Sequence, residues 1–305
     1  MVSLNRATLD KVRRHLLQRT DQALALTVKR LGPLPRSAPW DGNPRIALLT
    51  VNFSTTRYLK LMLLTLTEQQ DLDLVSRVVI RDNGSMDHPE PFLTQLEAKT
   101  GGKVVVTSST KPGSHALGMR RALSALRKAE RHAEQPANIL LFCDTDIVFR
   151  NPGTIRALAD RFRDGEVAFV GELRQGLFPY QEAQASFLAV RRDWAERRSI
   201  APWVDHGSPA YWLQKSIWKQ GGTGAPFPSN DGGYILHRGR AGVAAAQTFF
   251  RRHHLRDVPY NRAHYMGVAN GPQIWQQIDD RWKPLLDAED PTAVAQTIAR
   301  SMAPG

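Results

Sequence analysis

Three nearly continuous apolar runs, each stopping on a polar cluster, limit what this chain can fold into. Residues 45–53 read RIALLTVNF, residues 75–80 read VSRVVI, and residues 139–143 read ILLFC. Runs of this length, rich in Val, Ile and Leu, suit strands buried on both faces. The stretches Tyr58–Gln69, Pro91–Lys99 and the basic His115–His132 have helical character, and Lys103–Thr107 reads as a short strand. Strand, helix, strand, helix, strand predicts an α/β fold around a largely parallel sheet. Ligands bind beyond the carboxyl ends of such strands. The clusters Asn52–Thr56, Asp82–Ser85 and Asp144–Asp146 all fall there, which predicts one common site.

The flanks are less regular. In residues 1–31, Leu9, Val12 and Leu16 recur at helical spacing, as do Leu17, Leu24, Val28 and Leu31, among many Arg and Lys. Such a helix either packs on the main domain or serves as a peripheral membrane or dimer contact. A Pro- and Gly-rich linker follows. It divides the chain into a basic helix with linker (1–40), a main domain (41–285) and a C-terminal helix or tail (286–305). In the second half, Glu166–Leu173, Phe187–Arg191 and Tyr234–His237 read as strands. Ser208–Trp218 reads as a helix, with Ser208 as N-cap and Pro209 in the first position.

The net charge of +12 points to polyanions, anionic lipid or phosphorylated small molecules as partners. The arginines are scattered, with no zinc-finger spacing or aromatic RNA-binding signature, so nucleic acid is not expected. No run of about 18 apolar residues predicts a membrane span, and the N-terminal stretch lacks the apolar core of a secretory leader. Cys143 is the lone cysteine, which fits a reducing compartment. The expected location is cytoplasmic, with at most a peripheral contact at the inner face of the membrane.

Asp144-Thr145-Asp146 carries the clearest chemistry. A buried strand runs into two carboxylates one residue apart, hard oxygen ligands suited to Mg²⁺ or Mn²⁺, which can bridge a diphosphate. In an extended segment both would point the same way. An isolated D-x-D is more often two solvated loop aspartates, and the strand in front argues against that here. Asp82-Asn83-Gly84-Ser85 can accept hydrogen bonds from a base or ribose, or simply form a turn.

From about Arg45 to His237 these pieces, in this order, resemble the family 2 glycosyltransferases with the GT-A fold. Thr50-Val51-Asn52-Phe53 resembles that family's first strand end, and Asp82-Asn83-Gly84-Ser85 its nucleoside-binding turn. Pro112-Gly113-Ser114 through Arg120 resembles its N-x-G…N segment, with Lys111 and Arg120 where asparagines are common. Asp144-Thr145-Asp146 resembles its D-x-D motif, Phe187–Arg192 the strand on the acceptor side, and His237-Arg238-Gly239-Arg240 its late H-x-G segment. The resemblance implies a GT-A-like, Rossmann-type, mostly parallel sheet flanked by helices, here with an N-terminal helical extension. It implies inverting transfer from a nucleotide-diphosphate sugar to a hydroxyl on a glycan, a lipid-linked acceptor or a small molecule. Asn52, Asp82, Gly84, Gly113 and Asp144 would meet the donor. Asp144, Asp146 and His237 would hold Mn²⁺ or Mg²⁺. The family's Glu-Asp pair has no counterpart in Trp203–Pro209, where Asp205 is the expected base and His206 the alternate.

Other residues have two readings. Trp203, Tyr211, Trp212 and Trp218 either form an acceptor platform or pack the core. Lys111, His115 and Arg120 either face the diphosphate or lie exposed on a basic helix. Two other functions compete. An aspartyl-nucleophile phosphatase shares the D-x-D, but it wants the motif early and a later acidic site. A sugar-nucleotide-binding protein without a working base fits the missing Glu-Asp pair. A sugar nucleotidyltransferase would need a Gly-rich loop after the first strand, and Asn52–Thr56 contains no glycine.

Overall fold

Every side chain of β1 (Ile46–Asn52) is buried, because β1 lies inside a sheet that helices cover on both faces. The computed structural model describes residues 16, 19–20, 23–27, 29–30, 40–174, 182–204, 209–250, 264–290 and 292–302. The other strands of the main sheet are β2 (Val75–Asp82), β3 (Val104–Thr107), β4 (Ile139–Cys143), β6 (Val167–Arg174), β7 (Glu182–Arg191) and β8 (Thr223–Pro226). Their order is β3-β2-β1-β4-β7-β6-β8. β7 pairs antiparallel with β4 and β6, and every other pairing is parallel. The sheet is therefore largely parallel, as the apolar runs predict.

Alternation along each strand divides the core in two. Ile46, Leu48, Val78, Ile80, Ile139 and Leu141 belong to one cluster, while Ala47, Leu49, Val79, Leu140 and Phe142 belong to the other. The first cluster lies under α1 (Thr56–Leu66), α2 (Glu90–Lys99), α4 (Thr154–Asp160), α8 (Gly271–Leu286) and α9 (Ala293–Met302). The second lies under α3 (His115–Ala129) and α6 (Tyr211–Lys219). α1 is apolar almost all round because it sits between β5 (Ile147–Phe149) on one side and α8 and α9 on the other.

Three departures from the sequence reading have physical causes. Residues 145–146 form a turn rather than extended chain, and β5 leads straight out of it. β9 (Ile235–His237) leaves the main sheet to pair antiparallel with β5, Ile147 facing His237. α6 starts at Tyr211 with Ala210 at its cap, and Pro209 lies in the preceding turn; Ser208 lies outside the described residues. The remaining helices are the short α5 (Arg192–Ala195) and α7 (Ala241–Phe250). Among the described residues no helix is long and apolar enough to cross a membrane.

The described N-terminal residues are helical, with Leu16 and Leu24 exposed and Ala25 buried. Lys29 Nζ donates to the carbonyls of Ala195 (2.6 Å) and Ile200 (2.7 Å), tying this helix to the main domain. Burial, and then the charge of Arg127, lower the Lys29 pKa from 10.5 to about 7, against an opposing pull from Glu196. Between those values the unfolded chain holds a proton that the docked lysine has released, so docking strengthens as pH rises through this window and is flat below it. Amide protection of residues 23–30 is therefore expected to increase from pH 7 to 9, and Lys29→Met should flatten the trend. Protection in the wild type that ignores pH would contradict this account.

Candidate functional site

The carboxyl ends of β1, β2 and β4 open onto a cleft of about 660 Å³, whose floor includes Asp144, Asp146 and His237. These side chains meet because two short strands bring them together. The turn after β4 delivers Asp146 to the start of β5, and the pairing of β5 with β9 sets His237 beside it. The Asp146 carbonyl accepts from Arg238 N (2.9 Å), extending that ladder by one bond. His237 Nε2 lies 3.3 Å from Asp146 Oδ1 and 3.6 Å from Asp144 Oδ2. One ligand atom from each of the three residues falls within 4.8 Å of the others. Two carboxylates and an imidazole at that spacing suit a hard divalent cation such as Mn²⁺ or Mg²⁺.

The two carboxylates differ electrostatically. Asp146 is buried, and burial alone would raise its pKa. The charge and hydrogen bond of His237, together with the Ala241 N–H donating to Oδ2 (3.0 Å), hold it below the usual range instead. Asp144 keeps a third of its side chain exposed, yet packing around the carboxyl pushes its pKa up, and Asp146 adds to the rise while His115 and His237 oppose it. His115 Nε2 is 3.9 Å from Asp144 Oδ1.

The cleft walls come from helix N-termini. Gly113, Ser114 and His115 line one side at the start of α3, where Ser114 Oγ accepts from Leu117 N (3.2 Å). Arg240, Gly242 and Val243 line another side at the start of α7. N-termini carry free amides and partial positive charge, which favours anions. Arg240 is the one lysine or arginine among the described lining residues. Its backbone is left-handed (φ 71°), and its buried Nε has no hydrogen-bond partner among the described residues.

Several residues singled out from the sequence sit behind this lining. Asn52 Nδ2 donates to Thr56 Oγ1 (3.0 Å), Asp82 Oδ1 (3.0 Å) and Ser85 Oγ (3.1 Å), bracing the end of β1 against the β2 turn. Asp82 is buried, its Oδ2 accepting from Ser85 N (3.3 Å). The lining residue in that turn is Asn83, whose Nδ2 donates to Gly113 O (2.7 Å) and whose Oδ1 has no hydrogen-bond partner among the described residues. Gly84 also lies behind the lining. Its φ is +78°, and a Cβ there would meet the Lys111 carbonyl carbon at 2.6 Å, so only glycine lets the two loops touch.

Trp203 is buried between Phe142 and His115, with ring centroids 5.0 Å and 5.7 Å away, and Trp218 packs edge-on against Phe169. Neither they, Tyr211 nor Trp212 lines the cleft, and neither do Lys111 and Arg120. Asp205 and His206 lie outside the described residues.

No family model matches the sequence, and neither does any curated protein. Among solved structures the chain is similar to a mannosyltransferase from Pyrobaculum calidifontis in complex with GDP-Man and Mn²⁺, at 15% identity over 95% of this chain and 84% of that one, TM-score 0.43. It is also similar to a glucosyl-3-phosphoglycerate synthase from Mycobacterium tuberculosis in complex with Mg²⁺ and uridine diphosphate, at 16% identity over 70% of this chain and 86% of that one, TM-score 0.45. A third likeness is to TarS from S. aureus, at 13% identity over 85% of this chain and 90% of that one, TM-score 0.45. The site itself stands on its own geometry.

Asn83, Arg240 and His264 are among the lining residues that the sequence did not single out. Asn83 stood inside a quoted turn but behind a more conspicuous aspartate. Arg240 closed the quoted His237–Arg240 segment, yet nothing in the sequence marks a left-handed arginine. His264, whose Nδ1 lies 3.0 Å from His237 Nδ1, had no local signal at all.

Proposed function

We propose that this protein is a metal-dependent, inverting glycosyltransferase that takes a sugar from a nucleotide-diphosphate donor and passes it to a hydroxyl acceptor. One observation carries the reading: Asp144, Asp146 and His237 converge on one small volume at the floor of a cleft. The surrounding charges support it. A divalent cation would balance the two aspartates, and a bound diphosphate would then meet the α3 and α7 N-termini and Arg240. The cation, when bound, supplies charge stabilisation for the diphosphate as it leaves.

In the transfer, the bond between the anomeric carbon and the diphosphate oxygen breaks, and its electron pair stays on that oxygen. The acceptor oxygen bonds to the anomeric carbon from the opposite face, and its proton passes to a base. Asp205, with His206 as alternate, is the proposed base. Trp203, two residues before Asp205 in the chain, supports this, because it packs on His115, which lines the cleft.

Calorimetry with UDP, GDP and their sugars, with and without Mn²⁺, tests the reading. Binding should require the cation. Arg240→Gln is expected to weaken diphosphate binding about ten- to a hundredfold, the loss of a charged hydrogen bond, while leaving Mn²⁺ affinity unchanged. Nucleotide binding indifferent to Mn²⁺, or release of inorganic phosphate from an aryl phosphate, would reject the transferase.

A further inference from the structure

We propose that His264 is a positioning residue for the cation site, fixing which nitrogen of His237 is left bare for the metal. The inference rests on the reading of Asp144, Asp146 and His237 as a cation site and is independent of sugar transfer. His237 is firmly held. Its ring is buried, and its backbone N donates to Asn230 Oδ1 (2.8 Å). Asn230 is in turn held by Glu172 Oε2, which accepts from Asn230 N (2.9 Å) and from Ser229 Oγ (2.7 Å). With the ring fixed, the placement of its proton is the remaining freedom.

His237 Nε2 faces the carboxylates, and its Nδ1 faces His264 Nδ1 at 3.0 Å. Two facing nitrogens of neutral imidazoles form a hydrogen bond only if one of them carries the proton. A cation needs the lone pair of His237 Nε2, so the proton must sit on His237 Nδ1. His264 Nδ1 must then accept it, with the His264 proton on Nε2. A partner of this kind orients a metal-binding histidine and strengthens it as a ligand.

The contact is built into the fold rather than incidental. His264 N donates to Arg238 O (2.8 Å), and Arg238 lies over the rings of Tyr58 and Tyr265 (5.0 Å and 5.8 Å). The two imidazoles meet edge to face at 78°, with centroids 4.5 Å apart. Between them the chain passes through Gly239, at φ +72°, where a Cβ would stand 2.8 Å from Cγ and Cδ2 of His264. Only glycine there lets the His264 ring reach its place.

The test is Mn²⁺ binding to the full chain, by calorimetry, without nucleotide. His264→Ala should lower affinity about ten- to a hundredfold. His264→Asn, whose amide oxygen can accept in place of Nδ1, should recover most of the loss. Gly239→Ala should reproduce the loss while leaving every ligand and both histidines chemically intact. Nitrogen NMR of the Mg²⁺-loaded protein should show the His237 proton on Nδ1, with that signature lost in His264→Ala. Unchanged Mn²⁺ affinity in a folded His264→Ala, or a His237 proton on Nε2 in the loaded wild type, would overturn the proposal while leaving the cation site standing. A wild type that binds no Mn²⁺ would overturn both.

Discussion

Asp146→Ala is expected to remove cation-dependent nucleotide binding and to lower sugar transfer by about a thousandfold or more. The side chain is 6% exposed and serves two partners, Ala241 N through Oδ2 and His237 through Oδ1. Alanine deletes one of the two charges facing the cation and leaves the Ala241 amide without its acceptor. A loss of about 4 kcal/mol of transition-state stabilisation, within the range a metal supplies, corresponds to roughly that thousandfold. Asp146→Asn separates chemistry from folding. Its oxygen can still accept from Ala241, but its amide would face the cation with N–H groups. The thermal midpoint should therefore stay near that of the wild type while turnover disappears.

Acidification should show the same asymmetry. Burial and Asp146 raise the pKa of Asp144, whereas His237 and the Ala241 amide hold that of Asp146 down. As pH falls, Asp144 gains its proton first, so Mn²⁺ affinity should decline before the pH reaches the ordinary aspartate range. Transfer that survives in Asp146→Asn would remove the basis for the metal site.

The sequence makes much of this geometry legible, because its signals are local. Length and apolarity identify β1 and β4, and the break at Asp144 marks where the strand opens onto solvent. The segment around His237 can be quoted from order along the chain, but its meeting with Asp146 depends on two three-residue strands, β5 and β9. Elements that short carry almost no periodicity, and their pairing is decided by tertiary context. The orientation of Asp82 is equally hidden. A turn aspartate looks the same on paper whatever it accepts from, and here Asp82 accepts from Asn52 and Ser85. The start of α6 shifts because a serine followed by a proline is a capping signal only if the chain enters the helix there, and this chain makes a turn first.

Arg192→Ala should destabilise the fold by about 3–5 kcal/mol, the range for breaking a buried ion pair from one side. The Arg192 side chain is 3% exposed, as is Glu130, and Glu196 is 1% exposed. The guanidinium binds Glu130 and donates to Ala137 O (3.0 Å). Its Nε stands 3.1 Å from Glu196 Oε1 without hydrogen-bond alignment, so that contact is chiefly Coulombic. Glu196 keeps Arg127 after the substitution (2.8 Å). Glu130 loses its cation and, among the described residues, retains only the Ala137 amide (3.1 Å), which leaves a carboxylate to be buried unpaired or to take up a proton. The expected loss is a large share of the roughly 5–15 kcal/mol that holds a typical domain together. Urea unfolding of Arg192→Ala, Glu130→Gln and the double variant would measure it. Glu130→Gln in the Arg192→Ala background should restore part of the stability, because it removes the stranded charge. A single-variant loss below about 1 kcal/mol would place this network with exposed surface pairs, and burial would not then be what makes Arg192 matter.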